Sequence, residues 1–327
     1  MDHSARLLDI CRRYKRIIIV PHKFPDPDSI GAGFGLSYLF KKNNINSLFC
    51  YSGTIQRKIT KKMIHLLKID IVHVKMVGLS ENDGTIIVDG RPDKQNIPKL
   101  QSKIVAVIDH HEGAQKIPGI EFCDIRPTYG SCSTIITEYL IEAKLTIPAS
   151  VAGALFIGLS TDTMKMLRGV RKPDLNAFSY LYSRADINFI NHVLINNLEL
   201  KDIEFVKRGI SNLFTKGGFG FTYVGPHASS SLLGIISDFF FQIQDIDFMV
   251  TVTHDKKFLY ISVRSEYSKH NSVDILGRII EDFGEYGGHA SMAGGIIDLK
   301  KLKAKGYMTL PQIFNFLQTS LLKEYRK

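Results

Sequence analysis

Short apolar runs rich in β-branched residues punctuate the first 125 residues, at 16–21, 47–51, 69–74, 85–88, 103–108 and 119–123. The intervening stretches read as helix or loop, with helical character over Ile30–Phe40 and Ile59–Leu67. Strands that alternate with helices predict a parallel sheet with helices on both faces. From Ser133 the pattern turns helical: Ser133–Ala143, Pro148–Ser160 with proline near its first turn, Pro173–Tyr182, and a long polar stretch over about Asp186–Phe214 that reads as a connector. Gly217-Gly218-Phe219-Gly220 then opens a second pattern. Its predicted strands are Phe221–Val224, Phe248–Thr253 and Phe258–Val263, and its helices are Ser230–Phe241, Val273–Phe283 and Pro311–Tyr325. The expected architecture is α/β throughout: a parallel-sheet domain over 1–185, a helical linker over 186–215 and a smaller α/β domain over 216–327.

Composition narrows the class. The 327 residues exceed the usual single-domain size and are 44% hydrophobic, enough apolar material for two cores. No apolar run reaches the ~18 residues of a membrane span, and the first residues lack the basic-then-apolar layout of a secretory signal. Cys11, Cys50, Cys123 and Cys132 are scattered without a CxxC pair, which suggests neither a thiolate zinc site nor a disulfide framework and suits a cytoplasmic protein. The formal charge of +10 favours encounter with anionic substrates, although lysine-rich stretches such as Lys300–Lys305 are equally ordinary solvated surface.

The candidate chemistry lies at the ends of the apolar runs. His22, Asp26 and Asp28 follow Ile17–Val20, Asp89 follows Thr85–Val88, Asp109-His110-His111 follows Lys103–Ile108, and Asp162 follows Ala152–Ser160. Ligands of parallel sheets gather beyond the carboxyl ends of the strands, where these residues fall. Each has an ordinary alternative. Pro-Asp-Pro-Asp is turn chemistry with an aspartate capping the next helix, Asp89-Gly90 is a common turn pair, and Asp162 can cap the following segment. Their joint recurrence at strand ends favours convergence on one point. A mixed imidazole and carboxylate set points to Mn²⁺, Mg²⁺ or a similar ion, and about six ligands suit two ions better than one.

Four ordered segments, His22–Ile30, Val88-Asp89, Asp109-His110-His111 and Thr161-Asp162-Thr163, resemble the motifs of the DHH phosphoesterases. Ile261–Ser265 and Gly287–Gly295 resemble the substrate domain associated with that family, so the likeness runs from 17 to 295. The nearest branch is similar to the nanoRNase/pAp-phosphatase type, which includes phosphodiesterases of cyclic-di-AMP and linear dinucleotides. The resemblance implies two divalent ions, most readily Mn²⁺. His22, Asp26 and Asp89 would hold the first, and Asp28, Asp89, His110 and Asp162 the second, with Asp89 bridging. Asp109 would orient the histidine pair and His111 would face the scissile phosphate. Arg264 and Ser265, with Gly287, Gly288 and His289, would bind substrate from the second domain, and Arg168 and Arg171 are further candidates for a phosphate.

What the resemblance implies is a phosphodiesterase that cleaves short oligonucleotides or cyclic and linear dinucleotides to mononucleotides through a hydroxide activated by two metals. The implied partners are a short RNA or DNA oligonucleotide or a dinucleotide and no membrane, and the assembly is open to a homodimer. A phosphatase for pAp, pyrophosphate or polyphosphate shares the metal chemistry. The glycine-histidine loop speaks against pyrophosphatases of related fold, which carry a lysine-rich motif there. A nucleic-acid-binding protein with a dead site fits the charge but not the full ligand set. Two departures touch the pocket without replacing a ligand: Pro27 and Met164 stand where many relatives have glycine.

Overall fold

The computed structural model describes residues 2–327 apart from 56, 93–96, 99, 196–197 and 267–268, and the side chain of His289 is also outside the description. The chain divides into two compact units, residues 1–197 and 198–327. In the first, α1 (His3–Cys11) leads into β1 (Arg16–Val20), α2 (Pro27–Lys42), β2 (Ser47–Tyr51), α3 (Lys58–Leu66), β3 (Val72–His73), β4 (Asp83–Val88), β5 (Lys103–Asp109) and β6 (Phe122–Ile125). Helices α4 (Cys132–Glu142), α5 (Ala149–Asp162), α6 (Lys172–Tyr182) and α7 (Ile187–Ile195) follow.

The six strands form one sheet in the order β3-β2-β1-β4-β5-β6, and every pairing is parallel. Both faces of the central strands are covered, which is why Ile17, Ile18, Ile19 and Val20 are all apolar and none is exposed. On one face Ile17, Ile19, Ile86, Val88 and Ile108 pack with Leu7, Leu36, Ile136 and Leu155 of the helices. On the other, Ile18, Val20 and Cys50 meet Val72, Val74 and Val77, and Ile87 and Val107 meet Ile97, Ile117 and Ile120. Among the described residues the helical cover on this second face is a single 3-10 turn, Val74–Met76.

The topology fixes where a site can form. From β1 the chain moves outward through β2 and β3, then returns to lay β4 on the opposite side of β1 and continues through β5 to β6. The connection therefore reverses between β1 and β4, and a crevice opens there beyond the strand ends. Helices α2 and α5 pack on each other with glycines at the contact: a Cβ on Gly31 would lie 2.6 Å from the Ala154 carbonyl oxygen, and one on Gly158 2.9 Å from Asp28 Oδ1.

The second unit contains α8 (Ile203–Ser211), β7 (Phe214–Lys216), β8 (Phe219–Pro226), α9 (Ser230–Phe241), β9 (Phe248–His254), β10 (Phe258–Ser265), α10 (Ser272–Ile280), β11 (Gly284–His289), β12 (Met292–Asp298), α11 (Leu299–Ala304) and α12 (Leu310–Tyr325). Its mixed sheet runs β11-β12-β10-β9-β8-β7, with only β8 and β9 parallel, joined through α9.

Several elements differ from the sequence reading. The stretch 186–214 is not one helix: α7 adds Ile190 and Val193 to the first core, whereas α8 packs Phe205 and Val206 against Val224 and Phe240 of the second unit. The run 69–74 supplies only a two-residue strand, and the last strand of the sheet lies at 122–125 rather than 119–123. The glycine-rich stretch read as a loop is the β11–β12 hairpin, in which Gly287 pairs with Gly294 and Gly288 with Ala293. Gly288 has φ +136° and its Cβ would meet the Met292 carbonyl oxygen at 2.3 Å, so the hairpin requires glycine there.

Candidate metal centre

Each candidate ligand is delivered by a local structural reason. Residue Asp89 follows β4 immediately, with its amide hydrogen bonded to the Ile108 carbonyl at 2.9 Å. Its φ of +56° is left-handed, an uncommon conformation outside glycine that aspartate tolerates, and it turns the carboxylate off the strand direction. Asp26 caps α2 by accepting the Ser29 amide at 3.0 Å, so its turn role is compatible with a place in the ligand set. Asp28, fully buried, accepts the amides of Cys132 at 2.7 Å and Ser133 at 2.9 Å, which places it at the N-terminus of α4. Asp162 ends α5 rather than capping the next segment.

These loops bring the ligand atoms together. The Nε2 atom of His22 lies 3.9 Å from Asp26 Oδ1 and 3.8 Å from Asp89 Oδ2. His110 Nε2 lies 3.3 Å from Asp162 Oδ2, 3.5 Å from Asp89 Oδ1 and 4.0 Å from Asp28 Oδ2. Ligands bonded to one ion at about 2.1 Å stand about 3.0–3.5 Å apart, so the sets need only a small contraction to close on a cation. Two sets are distinct, His22-Asp26-Asp89 and Asp28-His110-Asp162, and a third, Asp89-His110-His111, links them.

The donor chemistry fits the expected ions. His110 Nδ1 faces the Tyr129 carbonyl oxygen at 3.2 Å, which fixes a proton on Nδ1 and leaves Nε2 turned toward Asp162 and Asp89. That Nε2 atom and Asp89 Oδ1 are both buried without a hydrogen-bond partner. A buried polar atom left unmatched costs about 1–3 kcal/mol, a cost that a bound cation removes. Oδ1 of Asp109 accepts the His110 amide at 2.9 Å and faces His111 Nδ1 at 2.8 Å, so one carboxylate holds the backbone of one histidine and the ring of the other.

Electrostatics express the same crowding. Burial, with Asp162 nearby, pushes the Asp28 carboxyl up to about 7. Burial and the neighbouring Asp28 and Asp26 carboxylates hold Asp89 far above the carboxylate range. Burial works against a charged His110, but the surrounding Asp162, Asp89 and Asp28 outweigh it and raise its pKa. Without a cation these groups hold protons that a metal must displace. All three raised groups bind more protons folded than unfolded, so each favours the metal-free fold at low pH and ceases to do so as pH rises through its folded value, about 7 for Asp28. Mn²⁺ binding is accordingly expected to release protons at pH 6 and fewer at pH 8, and to weaken about tenfold per pH unit below 7 for each proton displaced. Calorimetric titrations in two buffers of different ionisation enthalpy count those protons; no release at either pH would contradict the assignment.

Three features escaped the sequence reading. Arg57, half-exposed, sits with Nη1 3.8 Å from Asp26 Oδ2. Buried Arg91 donates to the Ala114 carbonyl at 3.1 Å and so braces the loop after His111. Met164, Lys165 and Met166 are all left-handed, with φ of 48°, 58° and 68°, so a non-glycine residue occupies the conformation that glycine would take in this departure from the family pattern. Nearby, Arg168 donates to the Asp162 carbonyl at 2.8 Å, and the Arg171 amide bonds Asp174. In the second unit Arg264 is buried, with Nε on Asp238 at 2.5 Å and Nη1 on Ser262 Oγ and the Val263 carbonyl, both at 3.0 Å. Ser265 Oγ lies 2.7 Å from Ser272 Oγ and donates to the His270 carbonyl at 2.8 Å.

Comparison with known proteins agrees with this geometry. The chain is 26% identical over 318 residues to the bifunctional oligoribonuclease and PAP phosphatase NrnA of Mycoplasma genitalium, covering 90% of this chain and 92% of that protein. It is 29% identical over 181 residues to a probable manganese-dependent inorganic pyrophosphatase of Enterococcus faecalis, covering 53% of this chain and 56% of that one. An exopolyphosphatase-related protein of Bacteroides fragilis shares the fold, with a TM-score of 0.79 at 18% identity over 99% of this chain and 96% of that one. Another relative, the protein MJ1633 of Methanocaldococcus jannaschii, is 29% identical over 291 residues and 88% of this chain, which spans only 59% of its length. The profile of the DHH family, N-terminal domain, matches residues 16–159, the stretch that carries the ends of β1, β4 and β5, and this part of the chain belongs to the DHH family.

Proposed function

We propose that the chain is a Mn²⁺-dependent phosphodiesterase that hydrolyses short oligonucleotides or dinucleotides to mononucleotides. The observation that carries this reading is the pair of ligand sets His22-Asp26-Asp89 and Asp28-His110-Asp162, set side by side with Asp89 and His110 lying 3.5 Å apart between them. When bound, two Mn²⁺ ions supply Lewis acidity at a phosphate and make a water acidic enough to react near neutral pH. The chain's own residues do the rest. Asp26, Asp28, Asp89 and Asp162 supply four negative charges that match two divalent cations. Asp109 holds Nδ1 of His111 and thereby presents the other face of the ring to the phosphate, where a donor stabilises developing charge.

The second unit is proposed to recognise the remainder of the substrate through Arg264, Ser265 and the Gly287-Gly288-His289 strand. Arg264 reaches a phosphate by exchanging the half-exposed Asp238 carboxylate for a phosphate oxygen, a like-for-like replacement of one charge-assisted bond by another. The full-length likeness to a protein named as an oligoribonuclease and PAP phosphatase supports nucleotide substrates, whereas the likeness to the pyrophosphatase covers about half the chain. A pAp phosphatase activity on the same metals is the second reading.

The test is a panel of dinucleotide, short RNA, cyclic-di-AMP, pAp and pyrophosphate with Mn²⁺. The dinucleotide or short RNA is expected to give the highest kcat/KM. Faster release of phosphate from pyrophosphate than of mononucleotide from a dinucleotide would overturn the reading.

A further inference from the structure

Three of the four candidate ligands of the second ion, Asp28, His110 and Asp162, lean on one short stretch, residues 129–134. Asp28 accepts the Cys132 and Ser133 amides. His110 Nδ1 faces the Tyr129 carbonyl. Thr163, next to Asp162, lies against Gly130, so closely that a Cβ on Gly130 would come within 2.6 Å of Thr163 Cγ2. The ligands His22 and Asp26 of the first ion hang instead on the β1–α2 loop, which is braced elsewhere: the Cβ of a residue at Gly53 would meet the Lys23 carbonyl oxygen at 2.3 Å.

Residues 129–134 are held by a residue outside every motif. Asp174, in the first turn of α6, is fully buried. Its Oδ1 accepts the Gly130 amide at 2.9 Å and the Thr134 hydroxyl at 2.7 Å, and its Oδ2 accepts the Arg171 amide at 2.8 Å. The two Oδ1 bonds clasp either side of Ser131, which caps α4 and bonds Thr134 through its hydroxyl. A serine would satisfy the start of α6 alone. A carboxylate has a second oxygen with which to reach across, and burying one is costly unless its bonds are used.

We infer that Asp174 is a positioning residue for the second-ion half of the centre, setting the spacing of Asp28, His110 and Asp162 without touching ion or substrate. The inference rests on the two-ion reading above. Partners of this kind, one bond removed from the ligands, alter metal affinity 10–100-fold.

Mn²⁺ titration followed by electron paramagnetic resonance separates the two sites, because the signal of an isolated ion changes when a second ion couples to it. In Asp174→Asn the amide nitrogen opposes a donor and loosens the clasp. The second-site Kd is expected to rise 10–100-fold while the first-site Kd stays within about twofold. Thr134→Val, which removes a single bond and keeps the shape, should shift the second site in the same direction by less, and carries the test should the Asn variant not fold. Equal weakening of both sites, or unchanged filling of the second in the folded variants, overturns the inference. A wild-type protein that never forms a coupled pair overturns the two-ion reading itself, and the inference with it.

Discussion

Asp89→Asn is expected to lower kcat/KM by about three orders of magnitude while leaving the fold intact. Asparagine is isosteric and tolerates the left-handed backbone that Asp89 adopts, so neither packing nor φ changes. What changes is charge. Among the described residues Asp89 alone joins the His22-Asp26 set with His110 and His111, and a neutral amide does not bridge two cations. The several kcal/mol of charge stabilisation that a metal pair supplies correspond to about tenfold per 1.36 kcal/mol. The metal-free variant should also melt no lower than wild type at pH 8, because it loses one member of a crowded group of buried carboxylates. A loss of activity accompanied by a lower metal-free melting temperature would mean that Asp89 serves the fold instead.

Gly158→Ala reverses an ordinary expectation. Alanine inside a helix normally gains about 1 kcal/mol over glycine. In α5 the new methyl would stand 2.3 Å from Ser133 Oγ, 2.9 Å from Asp28 Oδ1 and 3.0 Å from Asp28 Cα. The serine hydroxyl can turn aside, but the Asp28 backbone at the start of α2 cannot. Overpacking of this kind costs typically 1–3 kcal/mol, which in a unit of this size lowers Tm by about 4–8 °C for a net loss near 2 kcal/mol. Movement of Asp28 also opens its ligand set, and a misplacement of about 1 Å costs on the order of a hundredfold in rate. Thermal melts and steady-state assays check both; a raised Tm with undiminished turnover would show that α2 and α5 have room between them.

The legible part of the centre was the part that lies where an apolar strand stops. His22, Asp89 and the Asp109-His110-His111 triplet stand just after β1, β4 and at the end of β5, and that change from β-branched to ionisable residue marks both the strand end and the candidate ligand. The contributions of the backbone were not legible. The amides of Cys132 and Ser133 that hold Asp28, and the Tyr129 carbonyl that orients His110, leave no trace in residue identity. Asp174 lies 64 positions beyond His110 and is tied to it through its bond to the Gly130 amide, next to the Tyr129 carbonyl that faces His110. Arg57 belongs to the same class, an unremarked surface arginine until the turn at Gly53 brings α3 beside Asp26. Glycine misled in the second unit, where Gly287, Gly288, Gly294 and Gly295 read as a loop but pair as strands. The long polar stretch 186–214 misled through composition, since its two halves serve different cores.

The account stands on paired cations between β1, β4 and β5. Anomalous diffraction from crystals grown with Mn²⁺ tests it most directly. The expected result is two peaks about 3.5–4 Å apart, with Asp89 between them, His22 and Asp26 on one and Asp28, His110 and Asp162 on the other. A single peak, or none among these six residues at saturating Mn²⁺, would contradict it.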